Sequence, residues 1–232
     1  MSFNMLITGA NRGIGLEFVR QYAEAGWRVY ACCRNPQNAD ALHRLKEKYS
    51  GLISIHPLDV SNFDQINQLA EALSGTAIDV LINNAGIYRH DRSISGGVDE
   101  AAWIESFRVN SIAPLKMAEA FTDNLAKSTY KKIINITSKM GSIDDNTSGG
   151  YYAYRSSKAA LNMVTRSLAL DLAPHGISAI VLHPGWVKTD MGGPSALISV
   201  EQSVAGMRQV IEKLTPAGSG RFYAYDGQEI LW

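Results

Sequence analysis

Short, continuously apolar runs alternate along this chain with longer stretches whose apolar positions recur every three or four residues. The short runs, at 3–7, 27–33, 52–57, 78–83, 132–137, 177–183 and 221–225, read as buried strands. The longer stretches read as helices over 16–25, 39–49, 63–73, 99–126, 152–172 and 200–214, the fourth bent at Pro114. Gly26 stops the first helix, and Pro174 and Gly176 the fifth. Strands apolar throughout, each followed by an amphipathic helix, predict a parallel sheet covered on both faces. Right-handed crossovers then give an α/β fold built on a single doubly wound parallel sheet. No repeat, linker or low-complexity segment interrupts the pattern, so residues 1–232 read as one domain. Ligands of such sheets bind beyond the carboxyl ends of the strands, here occupied by Thr8, Arg34, Asp59, Asn83, Ser138 and Pro184.

Composition narrows the class. Apolar residues make up 46% of the chain, enough for a large core and too many for disorder. Twenty-two basic side chains balance 22 acidic ones, which removes the electrostatic case for nucleic acid or an anionic membrane as partner. No apolar run approaches the roughly 18 residues of a membrane span. The two cysteines, Cys32 and Cys33, are adjacent in a predicted strand and point to opposite faces, so a disulfide is not expected. With no leader pattern visible, the chain reads as a cytoplasmic protein in a reducing compartment. No metal site is read from it.

Two local patterns carry chemistry. The first strand leads into a turn with glycines at Gly9, Gly13 and Gly15, followed by a helix. Gly9 permits the tight exit from the strand, Gly13 a close approach of backbone to ligand, and Gly15 close packing of helix on sheet. The helix then directs its free N–H groups at a pyrophosphate. The second pattern is Tyr154 and Lys158, four residues apart and so on one helix face. An ammonium beside a phenol favours the phenolate, so the pair is expected to lower the phenol's pKa and exchange a proton with a carbonyl or alcohol.

Seven motifs occur in register: Thr8-Gly-Ala-Asn-Arg-Gly-Ile-Gly15, Leu58-Asp-Val60, Asn83-Asn-Ala-Gly86, Val109-Asn110, Ile136-Thr-Ser138, Tyr154-x-x-x-Lys158 and Pro184-Gly-x-Val-x-Thr189. Together they resemble the short-chain dehydrogenase/reductases of the classical type over essentially the whole chain. Ser138-Lys-Met-Gly-Ser-Ile143 and the ending Tyr225-Asp-Gly-Gln-Glu-Ile-Leu-Trp232 resemble the C-factor and sniffer-type carbonyl reductases in particular. The resemblance implies a Rossmann-like fold and assigns roles. Tyr154 is the proton donor, and Lys158 tunes it and binds the nicotinamide ribose. Ser138 holds the substrate oxygen. Asn110, in the fourth helix, orders a water near Lys158. Gly9, Asn11, Arg12, Gly13, Ile14 and Gly15 form the cofactor turn, and Asp59 and Val60 meet the adenine. Asn83, Ala85 and Gly86 border the adenosine ribose. Pro184, Gly185, Val187 and Thr189 hold the nicotinamide. The stretch from Ser138 to Tyr154 is a few residues longer than the family's usual one, an excess assigned to residues 144–150. Substrate choice falls to residues 88–97, 139–152 and 186–203, and a homodimer or homotetramer is expected.

Charge points to the cofactor. NAD-binding sheets place an acid about 20 residues past the glycine turn, to take the ribose hydroxyls. That count lands on Cys33, Arg34 and Asn35, with no carboxylate among them. Arg34 and Arg12 flank the spot and suit a 2′-phosphate. The reading is an NADP(H)-dependent reductase of an aldehyde or ketone, NAD(H) being the weaker choice. Two alternatives stand: an NAD-dependent alcohol or hydroxysteroid dehydrogenase, and a cofactor-binding regulatory or signalling protein on the same fold.

Overall fold

In the computed structural model, which describes residues 3–89 and 97–232, seven parallel strands form one sheet in the order β3-β2-β1-β4-β5-β6-β7. The strands are β1 (Asn4–Thr8), β2 (Arg28–Cys33), β3 (Ile53–Pro57), β4 (Val80–Asn83), β5 (Lys132–Ile136), β6 (Ser178–His183) and β7 (Phe222–Ala224). The helices are α1 (Gly13–Glu24), α2 (Asp40–Lys48), α3 (Phe63–Ala72), α4 (Glu100–Phe107), α5 (Ala113–Ala126), α6 (Tyr152–Asp171) and α7 (Val200–Lys213). Chain order runs outward from β1 to β3, then resumes on the other side at β4, and a crevice opens where it reverses.

The predicted two-sided burial follows from strand alternation. Met5 and Ile7 of β1 join a core with Phe18, Val204 and Met207, under α1 and α7. Leu6, between them, joins the opposite core with Met117, Phe121 and Leu168, under α5 and α6. Cys33 and Cys32 divide between these two cores in the same way, and both are free thiols.

Two elements differ from the sequence reading. The helix expected over 99–126 is helical from Glu100 to Ala126, but it carries a wider π-helical turn at Arg108–Ile112, which holds Asn110 and divides it into α4 and α5. Pro114 follows this π-helical turn directly, at the second position of α5. Helix α1 starts at Gly13, three residues earlier than its apolar periodicity, so two glycines open it. Gly15 is required there: a Cβ on it would lie 2.1 Å from the Gly9 carbonyl oxygen and 2.6 Å from Asn84 Nδ2.

A buried polar chain crosses the sheet beneath the rim. Asn83 Nδ2 donates to Asn135 Oδ1 at 2.8 Å, and Asn135 Nδ2 donates to Thr165 Oγ1 of α6 at 2.7 Å. Alongside, the Thr137 hydroxyl donates to Asn162 Oδ1 at 2.8 Å.

Candidate active site

The glycine turn is clipped to the loop after β4. Asn84 Nδ2 donates to the carbonyls of Thr8 and Gly9, each at 3.0 Å, while Thr8 Oγ1 accepts from the backbone N–H of Asn84 and of Ala85, each at 3.1 Å. Gly9 takes φ +66°, and a Cβ there would stand 3.0 Å from Ala85 Cα. Helix α1 has no capping side chain and no acid in its first turn. Its leading N–H groups therefore suit an anion, and Asn62, Asp99 and Ser199 cap α3, α4 and α7 by contrast. Asn11 is exposed on the same turn, and Ile14 packs into the core behind it. The arrangement fits the dinucleotide expected from the sequence.

The remaining cofactor candidates are partly committed elsewhere. Asp59 Oδ1 accepts from the Ser61 N–H at 2.9 Å and its hydroxyl at 2.7 Å, and Oδ2 has no partner among the described residues. Val60 is buried. Asn83 turns its amide nitrogen inward, onto Asn135 and, at 3.4 Å, the Pro114 carbonyl, while its Oδ1 has no partner among the described residues. Arg34 is exposed and has no ion-pair partner among the described residues. Arg12 instead pairs with Asp190 at 2.7 Å, which ties the glycine turn to the loop after β6. In that loop Pro184 and Gly185 turn the chain, and a Cβ on Gly185 would meet Ile198 Cδ1 at 2.5 Å. Val187 is buried, and Thr189 Oγ1 accepts from the Gly192 N–H at 3.1 Å and donates to the Val187 carbonyl at 3.4 Å. Trp186 is half exposed, with Nε1 bonded to the Gly192 carbonyl at 2.8 Å.

The four expected catalytic side chains converge on the rim between β5 and α6. Ser138 accepts from the Met140 N–H at 3.1 Å and opens a short turn at Lys139–Gly141. Its hydroxyl is near enough to the Tyr154 phenol to favour the ionised form. Lys158 is buried one helical turn on, its Nζ donating to the Ile136 carbonyl at 2.9 Å and lying 5.9 Å from the Tyr154 ring centre. Asn110 holds the loop after β4: Oδ1 accepts from the Ile87 N–H at 2.9 Å, and Nδ2 donates to the Ile87 carbonyl and to Ser157 Oγ, each at 3.0 Å. Gly86 leaves the gap between them open, since a Cβ there would stand 3.2 Å from Asn110 Oδ1 and 3.6 Å from Lys158 Nζ.

The proton affinities correct one expectation. Burial pushes the Tyr154 phenol up to about 12, against the nearby Ser138 hydroxyl, which pulls it down. Lys158 does not produce the lowered phenol pKa read from the sequence, because its amine is turned to the Ile136 carbonyl. Burial pushes Lys158 itself down to about 8. The folded chain thus favours the neutral amine, and between about 8 and about 10.4 the unfolded chain binds more protons. Stability contributed through Lys158 should rise with pH across that window. Urea denaturation of the cofactor-free protein at pH 8 and pH 10 should show wild type gaining on Lys158→Met; a gain in the opposite direction would refute the buried amine.

Gly141, missed in the sequence, positions the site. A Cβ there would stand 2.8 Å from Lys158 Cβ and 2.9 Å from its backbone carbon, so only glycine lets the Ser138 turn lie against α6. The one available signal was a glycine within the Ser138–Ile143 run. Residues 90–96, within one of the expected substrate walls, lie outside the described residues.

A reversing parallel sheet, an uncapped glycine-rich helix start and a phenol–amine pair on its rim define a nicotinamide-dependent oxidoreductase. The chain belongs to the short chain dehydrogenase family, whose profile matches residues 4–197. C-signal of Myxococcus xanthus is 47% identical over 155 residues, covering 67% of this chain and 93% of that protein. The carbonyl reductase Sniffer of D. melanogaster aligns over 100% of both chains with a TM-score of 0.92 and 36% identity. An NADPH-bound carbonyl reductase from chicken fatty liver does so with a TM-score of 0.92 and 38% identity. The subgroup read from residues 138–143 and 225–232 agrees with these matches. Among the described residues, no helix is long and apolar enough to cross a membrane.

Proposed function

We propose that the protein reduces an aldehyde or ketone to the alcohol with NADPH, and that Tyr154 delivers the proton. The observation carrying this reading is the Tyr154 phenol, buried and protonated on the rim near Ser138, with Lys158 Nζ 5.9 Å from its ring centre. The nicotinamide, when bound, supplies the hydride. Ser138 and Tyr154 then both donate to the substrate oxygen, and their hydrogen bonds strengthen as negative charge builds on it. Tyr154 releases its proton to that oxygen. The Lys158 amine, held on the Ile136 carbonyl beneath Tyr154, binds the nicotinamide ribose. Asn110 fixes the floor of the gap between Gly86 and Lys158. The glycine turn and α1 hold the pyrophosphate, Asp59 the adenine, and Arg34 with Arg12 the 2′-phosphate. The NADPH in the structurally similar carbonyl reductase supports that cofactor.

Assay with NADPH and a panel of aromatic aldehydes, quinones and diketones tests the reading, and Ser138→Ala tests its geometry. That variant should lower kcat more than it raises KM, by roughly 2.7–4 kcal/mol of lost transition-state stabilisation. An unchanged kcat would move the role away from Ser138. A second reading, a cofactor-binding signalling protein, is favoured by the identity to C-signal. A partner-binding effect that survives Tyr154→Phe, with no turnover in wild type, would select it.

A further inference from the structure

Three tyrosine rings stand together beside the proposed proton donor. Tyr88, on the loop after β4, meets Tyr154 edge-on, with ring centres 4.7 Å apart and planes at 86°. The Tyr88 ring also faces that of Tyr151, at 6.0 Å and only 26° from parallel. Tyr151 precedes α6 with φ 53° and ψ 43°, in the left-handed region. Gly149 and Gly150 lead into it with φ 64° and 66°, so three successive residues share that hand. Two glycines adopt it freely; a tyrosine does so at a cost in free energy. Lys131 is the one other non-glycine with positive φ among the described residues. A glycine at 151 would carry the same turn without strain, so the turn alone does not account for the tyrosine. The strained backbone does deliver a ring alongside Tyr88. Tyr151 is half-buried, and its hydroxyl has no hydrogen-bond partner among the described residues. Strain of this kind persists where ligands are gripped.

We propose that Tyr88 and Tyr151 form an aromatic wall that stacks the substrate's ring and selects carbonyl groups conjugated to an aromatic ring, that is, aryl aldehydes and aryl ketones. The proposal rests on the carbonyl-reductase reading above. Conjugation holds the C=O in the plane of its ring. With its oxygen between Ser138 and Tyr154, the flat ring lies next to Tyr88, whose edge contact with Tyr154 fixes the distance. A puckered saturated ring cannot stack in this way.

Benzaldehyde and cyclohexanecarbaldehyde, equal in carbon count and different in flatness, provide the test. Steady-state kinetics with NADPH on wild type, Tyr151→Gly, Tyr151→Phe and Tyr88→Leu gives the ratio of their kcat/KM values. The ratio of benzaldehyde to cyclohexanecarbaldehyde should fall about fivefold or more in Tyr151→Gly and Tyr88→Leu, chiefly through KM, and survive in Tyr151→Phe. Tyr151→Gly suits the left-handed backbone, so its Tm should stay within about 4 °C of wild type or rise. A ratio unchanged in Tyr151→Gly, with both substrates losing alike, overturns the proposal, as does a larger fall in Tm, which marks the ring as a structural prop. Wild type that reduces neither aldehyde, nor any member of the wider panel, overturns the carbonyl-reductase reading itself.

Discussion

Tyr154→Phe is expected to abolish carbonyl reduction while leaving the NADPH dissociation constant within about twofold. The substitution removes one hydroxyl and keeps the ring, so the edge contact with Tyr88 and the burial of the site are preserved. What is lost is the proton itself and the hydroxyl near Ser138. Ser138 donates a hydrogen bond to the oxygen but is not assigned to give up its proton, so the loss in kcat should exceed about a hundredfold, or ~2.7 kcal/mol. Steady-state kinetics paired with fluorescence titration of NADPH separates the two quantities. A variant keeping more than about a tenth of the rate, ~1.4 kcal/mol, would show that Tyr154 is not the donor.

The second large effect concerns cofactor choice. Wild type should prefer NADPH strongly over NADH in kcat/KM, and Arg34→Ala should reduce that preference by about ten- to a hundredfold. A charge-assisted hydrogen bond is worth roughly 1.5–3 kcal/mol, and Arg34 is a cation with no competing acid among the described residues. Arg12→Ala should cost less, because Arg12 must first leave Asp190 to reach a phosphate. Reversal of the preference belongs at position 34 as well. Cys33 is 2% exposed within the core, so an aspartate there would be buried with its charge, whereas Arg34→Glu presents a carboxylate at the exposed strand end. A wild-type ratio near one, or one indifferent to Arg34, would remove the phosphate clamp.

What the sequence made legible was what short-range spacing encodes. Tyr154 and Lys158 needed only the helix repeat to be placed on one face, and the doubly wound parallel sheet followed from buried strands alternating with helices. What it hid depends on residues distant in the chain. The helix rules penalise glycine, so α1 was read from Leu16; Gly15 opens the helix because Gly9 and Asn84 crowd it from other segments. The break at Arg108–Ile112 leaves no mark in apolar periodicity, since a π turn shifts the register by a single residue. A strand-end position does not show that the Asn83 amide nitrogen is held by Asn135 on the next strand. The Lys158 amine was taken as the tuner of Tyr154 because spacing cannot show that the Ile136 carbonyl holds it.

The amide chain from Asn83 through Asn135 to Thr165 works as a rotational key for α6. Thr165 and Asn162 lie on the face that also carries Tyr154 and Lys158, and each is locked to a different residue of the sheet. Sliding the helix by one position would turn it by about 100° and lift it ~1.5 Å, presenting Ala153 or Arg155 to the rim in place of the phenol. Apolar side chains tolerate such a slip, because one methyl group substitutes for another against a smooth surface. Directional bonds to two fixed positions, Asn135 in β5 and Thr137 just past its end, do not, and a buried amide without its partner penalises every other setting. The aim of the proton donor is thus set by polar pairs about two and three turns further along the helix.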